Sequence, residues 1–123
     1  HHTWYLRDGN DEHHSTPADL ARMAARHPRT RILMAHLTPS GPRGVLDIAA
    51  YPNVCADTSG GQPQTGVIEY AVEKMGAERI LYGSDYGIRD FGCQLGKILG
   101  AHITKRQKGM MLYHNARRLF KLD

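Results

Sequence analysis

The chain has 123 residues, with 16 lysines and arginines against 12 aspartates and glutamates and a formal net charge of +4. This length fits one globular domain, and no apolar run approaches the roughly 20 residues of a membrane helix. No basic segment followed by an apolar stretch indicates a secretory signal. Cys55 and Cys93 lie far apart, in no metal-binding or disulfide-framework spacing, which favours reduced thiols. We therefore expect a cytoplasmic protein that binds no membrane.

The positive charge permits nucleic-acid binding, but the basic residues are scattered and are not interleaved with aromatic residues along one face. We therefore expect no nucleic-acid partner. One alternative stays open, a salt-sensitive nucleic-acid binder that uses the basic residues of the last predicted helices. These residues, which a solvated helical face also explains, are Lys105, Arg106, Lys108, Arg117 and Arg118.

The first predicted element is a β-rich run, His1–Leu6, which is followed by a polar loop over Arg7–Ser15. The chain opens directly on this run, so we expect it to be part of something longer. An alternative is that His1 and His2 are the remainder of an affinity tag.

A helix is predicted to begin next. Thr16 is a suitable N-cap, Pro17 fits the first helical position, and Asp19 completes an approximate capping box. An apolar stripe at helical spacing follows until Pro28 ends the helix.

The middle of the chain alternates between two patterns. Short apolar runs predict strands that are buried on both faces, and longer amphipathic runs predict helices between them. The predicted strands are Ile32–Ala35, Val54–Ala56 and Ile80–Tyr82, and the predicted helices are Val45–Tyr51 and Val67–Met75. The last third is predicted to be helical, over Phe91–Leu99, from Lys105 onward and over Asn115–Phe120.

This alternation predicts an α/β fold with a parallel sheet and helices packed outside it. Both a doubly wound open sheet and part of a (β/α)8 barrel agree with it. No G-x-G-x-x-G follows the first predicted strand, so the dinucleotide-binding form of the open sheet has no support.

Potential metal ligands fall on or directly after the predicted strands. His2 lies on the first, while His36, Asp57 and Asp85 follow the next three. Because the carboxyl ends of parallel strands meet at one edge, these side chains are expected to converge there. Imidazoles and carboxylates suit zinc, and manganese or iron is an alternative.

Each candidate also has a structural interpretation. His36 fits a hydrogen-bonded structural residue, and both aspartates fit caps of the loops that follow them, which is the interpretation we prefer for Asp57. A nucleophilic triad of Ser84, Asp85 and His36 is disfavoured, because Ser84 lies in no G-x-S-x-G turn and adjacent residues do not easily flank one histidine.

Several runs of the sequence together resemble one known family. They are Pro17–Leu20 through His27-Pro28, Ile32–Leu37, Tyr51–Val54, Asp57–Gly60, the most specific run Gly76–Asp85, and Asn115–Phe120. In this order they resemble the C-terminal half of the amidohydrolase-related family, also called amidohydrolase 2. That family consists of metal-dependent (β/α)8 barrels that act as hydrolases and non-oxidative decarboxylases, including the aminocarboxymuconate semialdehyde decarboxylase group. The resemblance implies that residues 1–123 form a single partial domain, strands five to eight of such a barrel.

The resemblance also implies roles for individual residues. His2, His36 and Asp85 would bind a divalent metal, most often zinc, with Asp85 accepting a proton from water and His36 stabilising charge. Trp4 and Arg89 are candidates for substrate binding, since the guanidinium of Arg89 matches the geometry of a carboxylate. The expected substrate is a small carboxylate-bearing molecule.

The sequence departs from the family in one large respect. Family members begin with a strand that ends in His-x-His, and the only comparable pairs here, His1-His2 and His13-His14, are adjacent. We expect either a fragment of a longer product that lacks its N-terminal half-barrel, which we favour, or a homo-oligomer. The rival function is a catalytically incomplete structural or self-assembling module.

Overall fold

The computed structural model describes residues 1–5 and 13–122, and within them three short strands form one parallel sheet in the order β1-β2-β3. The strands are β1 (Ile32–Met34), β2 (Val54–Asp57) and β3 (Ile80–Leu81). The helices are α1 (Pro17–Arg26), α2 (Leu37–Ala49), α3 (Val67–Met75), α4 (Phe91–Leu99), α5 (Lys105–Gly109) and α6 (Asn115–Phe120). A 3₁₀-helix, Ala77–Arg79, precedes β3, and a π-helix, Met110–His114, joins α5 to α6. The predicted α/β class with a parallel sheet is confirmed.

The predicted first strand is reduced to a single parallel bridge between His2 and Ala35. The amino terminus of His1 donates to Leu33 O at 2.7 Å, so this segment lies alongside β1 and continues the order of the sheet. Its position brings His2 to the edge at which β1 ends.

The pairing with β1 ends after His2 because the backbone N–H of Trp4 has a different acceptor. The N–H of Trp4 donates to Ser15 O at 2.9 Å instead of to β1. Leu6, which the prediction included in the strand, lies outside the described residues, as does the predicted polar loop apart from residues 13–15.

The predicted start of α1 is confirmed as a full capping box. The Asp19 N–H donates to Thr16 Oγ1 at 3.2 Å, while the Thr16 N–H donates to Asp19 Oδ2 at 2.9 Å. The buried stripe of this helix consists of Leu20, Ala21 and Ala24.

Helix α2 differs from the prediction, since it begins at Leu37 rather than Val45 and ends at Ala49. It is broken at Gly41, whose φ of 58° and ψ of −162° are not helical. Glycine tolerates this backbone, and Pro42 then supplies the fixed φ that suits a new first turn. The apolar periodicity shows only the second part, because Pro and Gly conceal the first turn.

The core lies between one face of the sheet and the helices. Met34, Val54 and Ala56 are fully buried, while the alternating Leu33 and Cys55 are only half-buried. Since successive side chains of a strand point to opposite faces, the described helices cover one face more completely than the other. The prediction of burial on both faces is therefore wrong for β1 and β2, whereas both residues of β3 are buried.

Both cysteines are free, as predicted. Among the described residues, no helix is long and apolar enough to cross a membrane.

The C-terminal helices attach to β3 through a buried amide. The Asn115 Nδ2 donates to Ala77 O and to Ile80 O, each at 2.7 Å, and the residue is 2% exposed. The Tyr82 N–H donates to Met111 O at 2.8 Å, so the π-helix also holds the end of β3. These contacts fix the segment that leads to Asp85.

We predict that Asn115→Ala lowers the free energy of unfolding by about 2–3 kcal/mol, because two hydrogen bonds of a buried amide are lost. Arg106→Ala, at an exposed position of α5, is the control and should change it by less than about 0.5 kcal/mol. Urea denaturation of both variants measures the difference. Equal stabilities would contradict the anchoring role of Asn115.

Candidate active site

His36 follows β1 and has an unusual backbone conformation. Its φ of 76° and ψ of 56° lie in the left-handed region, where non-glycine residues are uncommon, and it is only 7% exposed. Its N–H donates to Asp57 Oδ1 at 3.3 Å, and its carbonyl accepts from Ser40 Oγ at 2.9 Å. The surrounding contacts hold a conformation that is typical of functional sites.

A hydrogen-bond chain assigns the tautomer of the His36 ring. The Ser59 Oγ donates its single proton to Asp57 Oδ1, and it lies 3.2 Å from His36 Nδ1. Oγ therefore accepts from the ring, so Nδ1 carries the proton and the lone pair is on Nε2. This arrangement leaves Nε2 able to bind a metal or to accept a proton.

Two aromatic rings of the first segment surround this imidazole. The ring centroids of His2 and His36 are 4.5 Å apart at an interplanar angle of 79°. Trp4 lies edge-on to His36 at 5.7 Å and stacks on His2 at 6.2 Å. The structure thus brings together three of the residues that the sequence singled out.

The pKa of His36 is lowered from its usual value. Burial is the largest cause, and the positive charge of a nearby His2 acts in the same direction. The carboxylates of Asp57 and Asp85 oppose this shift, which puts both aspartates within electrostatic reach of the ring.

Asp57 has the loop-capping role that the sequence analysis preferred. Its Oδ1 accepts from the Ser59 N–H at 2.9 Å as well as from the Ser59 hydroxyl and the His36 N–H. One carboxylate oxygen therefore connects the ends of β1 and β2.

Asp85 and Arg89 lie in the loop after β3. Asp85 also has a left-handed backbone, with φ of 55°, and its carbonyl accepts from the Arg89 N–H at 3.0 Å. The Nε of Arg89 is buried and has no hydrogen-bond partner among the described residues. An unpartnered guanidinium N–H at this edge is suited to bind an anionic group.

The donor set fits a divalent cation in chemistry but is not complete. Two imidazoles lie in contact and a carboxylate lies nearby, which are the ligand types that zinc and manganese accept. However, residues 1–5 and 13–122 contain no group of three or more His, Cys, Asp or Glu side chains arranged to hold a metal. The assignment of His2, His36 and Asp85 as metal ligands stays a prediction.

Lys97 of α4 was not recognised from the sequence, although it contacts the loops that follow β1 and β2 at the carboxyl edge of the sheet. It is 8% exposed, and its Nζ donates to Gly60 O at 2.6 Å, Thr58 O at 3.1 Å and Thr38 Oγ1 at 3.1 Å. The available signal was its position directly before the apolar Ile98 and three residues after Gln94, which places it on the inward stripe of the helix.

Burial shifts the pKa of Lys97 to about 8, because the ammonium is removed from water. The nearby charge of Arg89 lowers this pKa further. The opposing influences come from Cys93, Asp57 and Asp85.

The sequence matches the family model described as amidohydrolase over residues 6–122. The chain belongs to the amidohydrolase family. No curated protein matches it significantly in sequence.

Solved structures with the same fold include amidohydrolase-family enzymes. The 2,6-dihydroxybenzoate decarboxylase from Rhizobium is 24% identical with a TM-score of 0.68, covering 89% of this chain and 43% of its own. A dihydroxybenzoic acid decarboxylase from a Polaromonas species, with bound manganese and an inhibitor, is 19% identical with a TM-score of 0.71, covering 88% and 40%. An amidohydrolase from Burkholderia multivorans with bound zinc is 15% identical with a TM-score of 0.72, covering 87% and 49%.

This amidohydrolase-family chain spans less than half the length of these three structures. At such identities the likeness concerns the fold, which is that of part of a (β/α)8 barrel. The metals and the small-molecule inhibitor belong to those proteins.

We predict a specific pH dependence of stability from Lys97. Its pKa is about 8 in the folded protein against 10.5 ordinarily, so between these values the unfolded chain binds more protons. The stability of the native protein should therefore rise with pH across this window relative to that of Lys97→Met. Urea denaturation of both proteins at a series of pH values measures this difference, and parallel curves would contradict it.

Proposed function

We propose that this chain carries part of the active site of a metal-dependent decarboxylase or hydrolase that acts on a small carboxylate-bearing substrate. The observation that carries the proposal is the setting of His36. Its backbone is left-handed, its Nδ1 is bound to Ser59, and its ring lies against His2 at the carboxyl edge of a parallel sheet. This edge is where enzymes with parallel α/β sheets bind their ligands.

The metal ligands of the proposal are His2, His36 and Asp85. Zinc is our first expectation for the metal, with manganese or iron as alternatives. When bound, such a cation supplies a Lewis acid that polarises oxygen and lowers the pKa of water. The remaining donors would come from residues outside this set, within a longer chain of which 1–123 is the C-terminal half-barrel.

The chain's own residues would do the rest of the chemistry. Asp85 would accept and return a proton, and His36 would stabilise negative charge as it develops. Arg89 would bind the substrate carboxylate through its unpartnered N–H, and Trp4 would pack against the body of the substrate.

The comparisons support an aromatic carboxylate as the first substrate to try. One of the solved structures is a 2,6-dihydroxybenzoate decarboxylase complexed with 2,6-dihydroxybenzoate, and its chain is 24% identical to this one. Such a substrate combines a carboxylate for Arg89 with a ring for Trp4. Hydrolysis of an ester or amide of a similar acid is the other reaction to assay.

The incomplete donor set favours a second candidate, a half-barrel that acts as a structural or self-assembling module. The two candidates differ in metal content. The enzyme requires about one tightly bound metal for each assembled site, whereas the module does not. The two free cysteines also fit the cytoplasmic location that we propose for either.

The decisive experiment uses the longest natural protein that contains this chain. We predict that Asp85→Asn lowers carbon dioxide release from 2,6-dihydroxybenzoate, or hydrolysis if that is the reaction, by about a hundredfold or more. Asp90→Asn is the control, because the side chain of Asp90 caps α4 through the Cys93 N–H and asparagine caps equally well.

Metal analysis by mass spectrometry and thermal unfolding complete this test. After metal removal by a chelator, both aspartate variants should have the unfolding temperature of the metal-free native protein, and only Asp85→Asn should fail to bind metal again. Full activity in Asp85→Asn would contradict the role of Asp85. A native protein that holds no zinc, manganese or iron would favour the module.

A further inference from the structure

Lys97 connects two loops that follow different strands. Its Nζ donates to Gly60 O at 2.6 Å and Thr58 O at 3.1 Å after β2, and to Thr38 Oγ1 at 3.1 Å after β1. Thr38 Oγ1 itself donates to Thr58 O at 3.3 Å, so the contacts form one closed cluster. A single side chain of α4 therefore holds both loops.

All three N–H groups of this ammonium are used inside the protein. No described carboxylate lies within ion-pair distance of Nζ, so its direct hydrogen-bond acceptors are carbonyl and hydroxyl oxygens. Retaining a buried charge in this way is costly compared with an apolar side chain of similar length. Because it has no N–H left for a ligand, its role is to hold the loops and not to contact the substrate.

The loop that Lys97 holds is the one that encloses the His36 ring. A Cβ added at Gly60 would lie 2.9 Å from His36 Cγ and closer still to Nδ1, so the backbone of Gly60 packs directly on the imidazole. The preceding Ser59 places its Oγ 3.2 Å from Nδ1. Any outward movement of the Gly60 carbonyl would move both contacts away from the ring.

We propose that Lys97 is a positioning residue that clamps residues 58–60 against His36 and thereby fixes the ring with Nδ1 on Ser59 and Nε2 free for ligand. The proposal deepens the proposed function, on which it rests for the use of Nε2. The clamp itself needs neither metal nor substrate, and its measurement uses neither.

The test is NMR spectroscopy, at neutral pH and without added metal, of the longest natural protein that contains this chain, comparing the native protein with Lys97→Met. In the native protein the two ring nitrogens of His36 should show the widely separated ¹⁵N shifts of one tautomer. In Lys97→Met these shifts should move toward each other as the tautomers mix. Hydrogen exchange of the Ser59 N–H should become about tenfold faster.

Two references separate the clamp from general loss of stability. The Ile32 N–H, which donates to Asn53 O at 2.9 Å at the other end of the sheet, should keep its exchange rate. Lys74→Met, which removes a lysine of α3 whose partner is the exposed Glu73, should leave the His36 shifts unchanged.

Two further variants test the same contact with the His36 ring, one at Gly60 and one at Lys97. Gly60→Ala places a methyl group against Nδ1 and should produce the same change in the His36 ¹⁵N shifts, and Lys97→Arg, which keeps the charge and the donors, should produce a smaller one. If Lys97→Met does not fold, these two variants carry the test.

Three results would overturn the proposal. The first is an unchanged His36 spectrum in Lys97→Met, or in Gly60→Ala if only that variant folds. The second is an equal acceleration of exchange at Ser59 and Ile32, which would make Lys97 a general stabilising residue. The third is a Lys97→Arg spectrum that is altered as much as that of Gly60→Ala. Failure of the proposed function would give a different result. The native protein would then bind no metal or show no turnover, while the His36 ¹⁵N shifts and the Ser59 exchange rate still changed in Lys97→Met as expected.

Discussion

The geometry of the candidate site depends on one carboxylate oxygen, Oδ1 of Asp57. It accepts hydrogen bonds from the N–H and hydroxyl of Ser59 and from the N–H of His36. These bonds join the end of β2 to the end of β1, and by taking the hydroxyl proton they also decide which nitrogen of His36 carries its own. Backbone position and proton position at the site therefore have the same cause. This explains how a non-glycine residue is held in a left-handed conformation there.

A second constraint is the scarcity of space around the ring. Gly60 leaves no room for a side chain against His36, and at Gly83 an added Cβ would lie 3.0 Å from Asp57 Cγ. A side chain at either position would therefore press on the site where the loops after β2 and β3 close on it. Lys97 compensates for the freedom that glycine introduces, because its bond to Gly60 O limits the movement of that segment. The buried charge has a function that an apolar residue in the same place would not provide.

The sequence predicted most of the fold and part of the site, for physical reasons that differ from residue to residue. Apolar runs and capping residues are local signals, so the strands and the start of α1 at Thr16 were recognisable. The first turn of α2 was not, because Gly41 and Pro42 conceal it from periodicity. His36 stood out because it follows a strand. Lys97 did not, since its only local signal is its position on the inward stripe of α4, and its partners are oxygens of loops that are distant in the sequence.

The half-exposed face of the sheet bears on the choice between the two candidate functions. Leu33 and Cys55 alternate with fully buried neighbours, so the described helices leave the opposite face of β1 and β2 partly open to water. In a barrel that face is interior, and the ligand set is drawn from strands all around it. In the proposed enzyme, further strands would cover this face and would supply the remaining metal ligands. A self-assembling module would also cover this face, but its assembly would not depend on the tautomer of His36. The hydrogen-bond chain from Asp57 through Ser59 to the ring favours the enzyme.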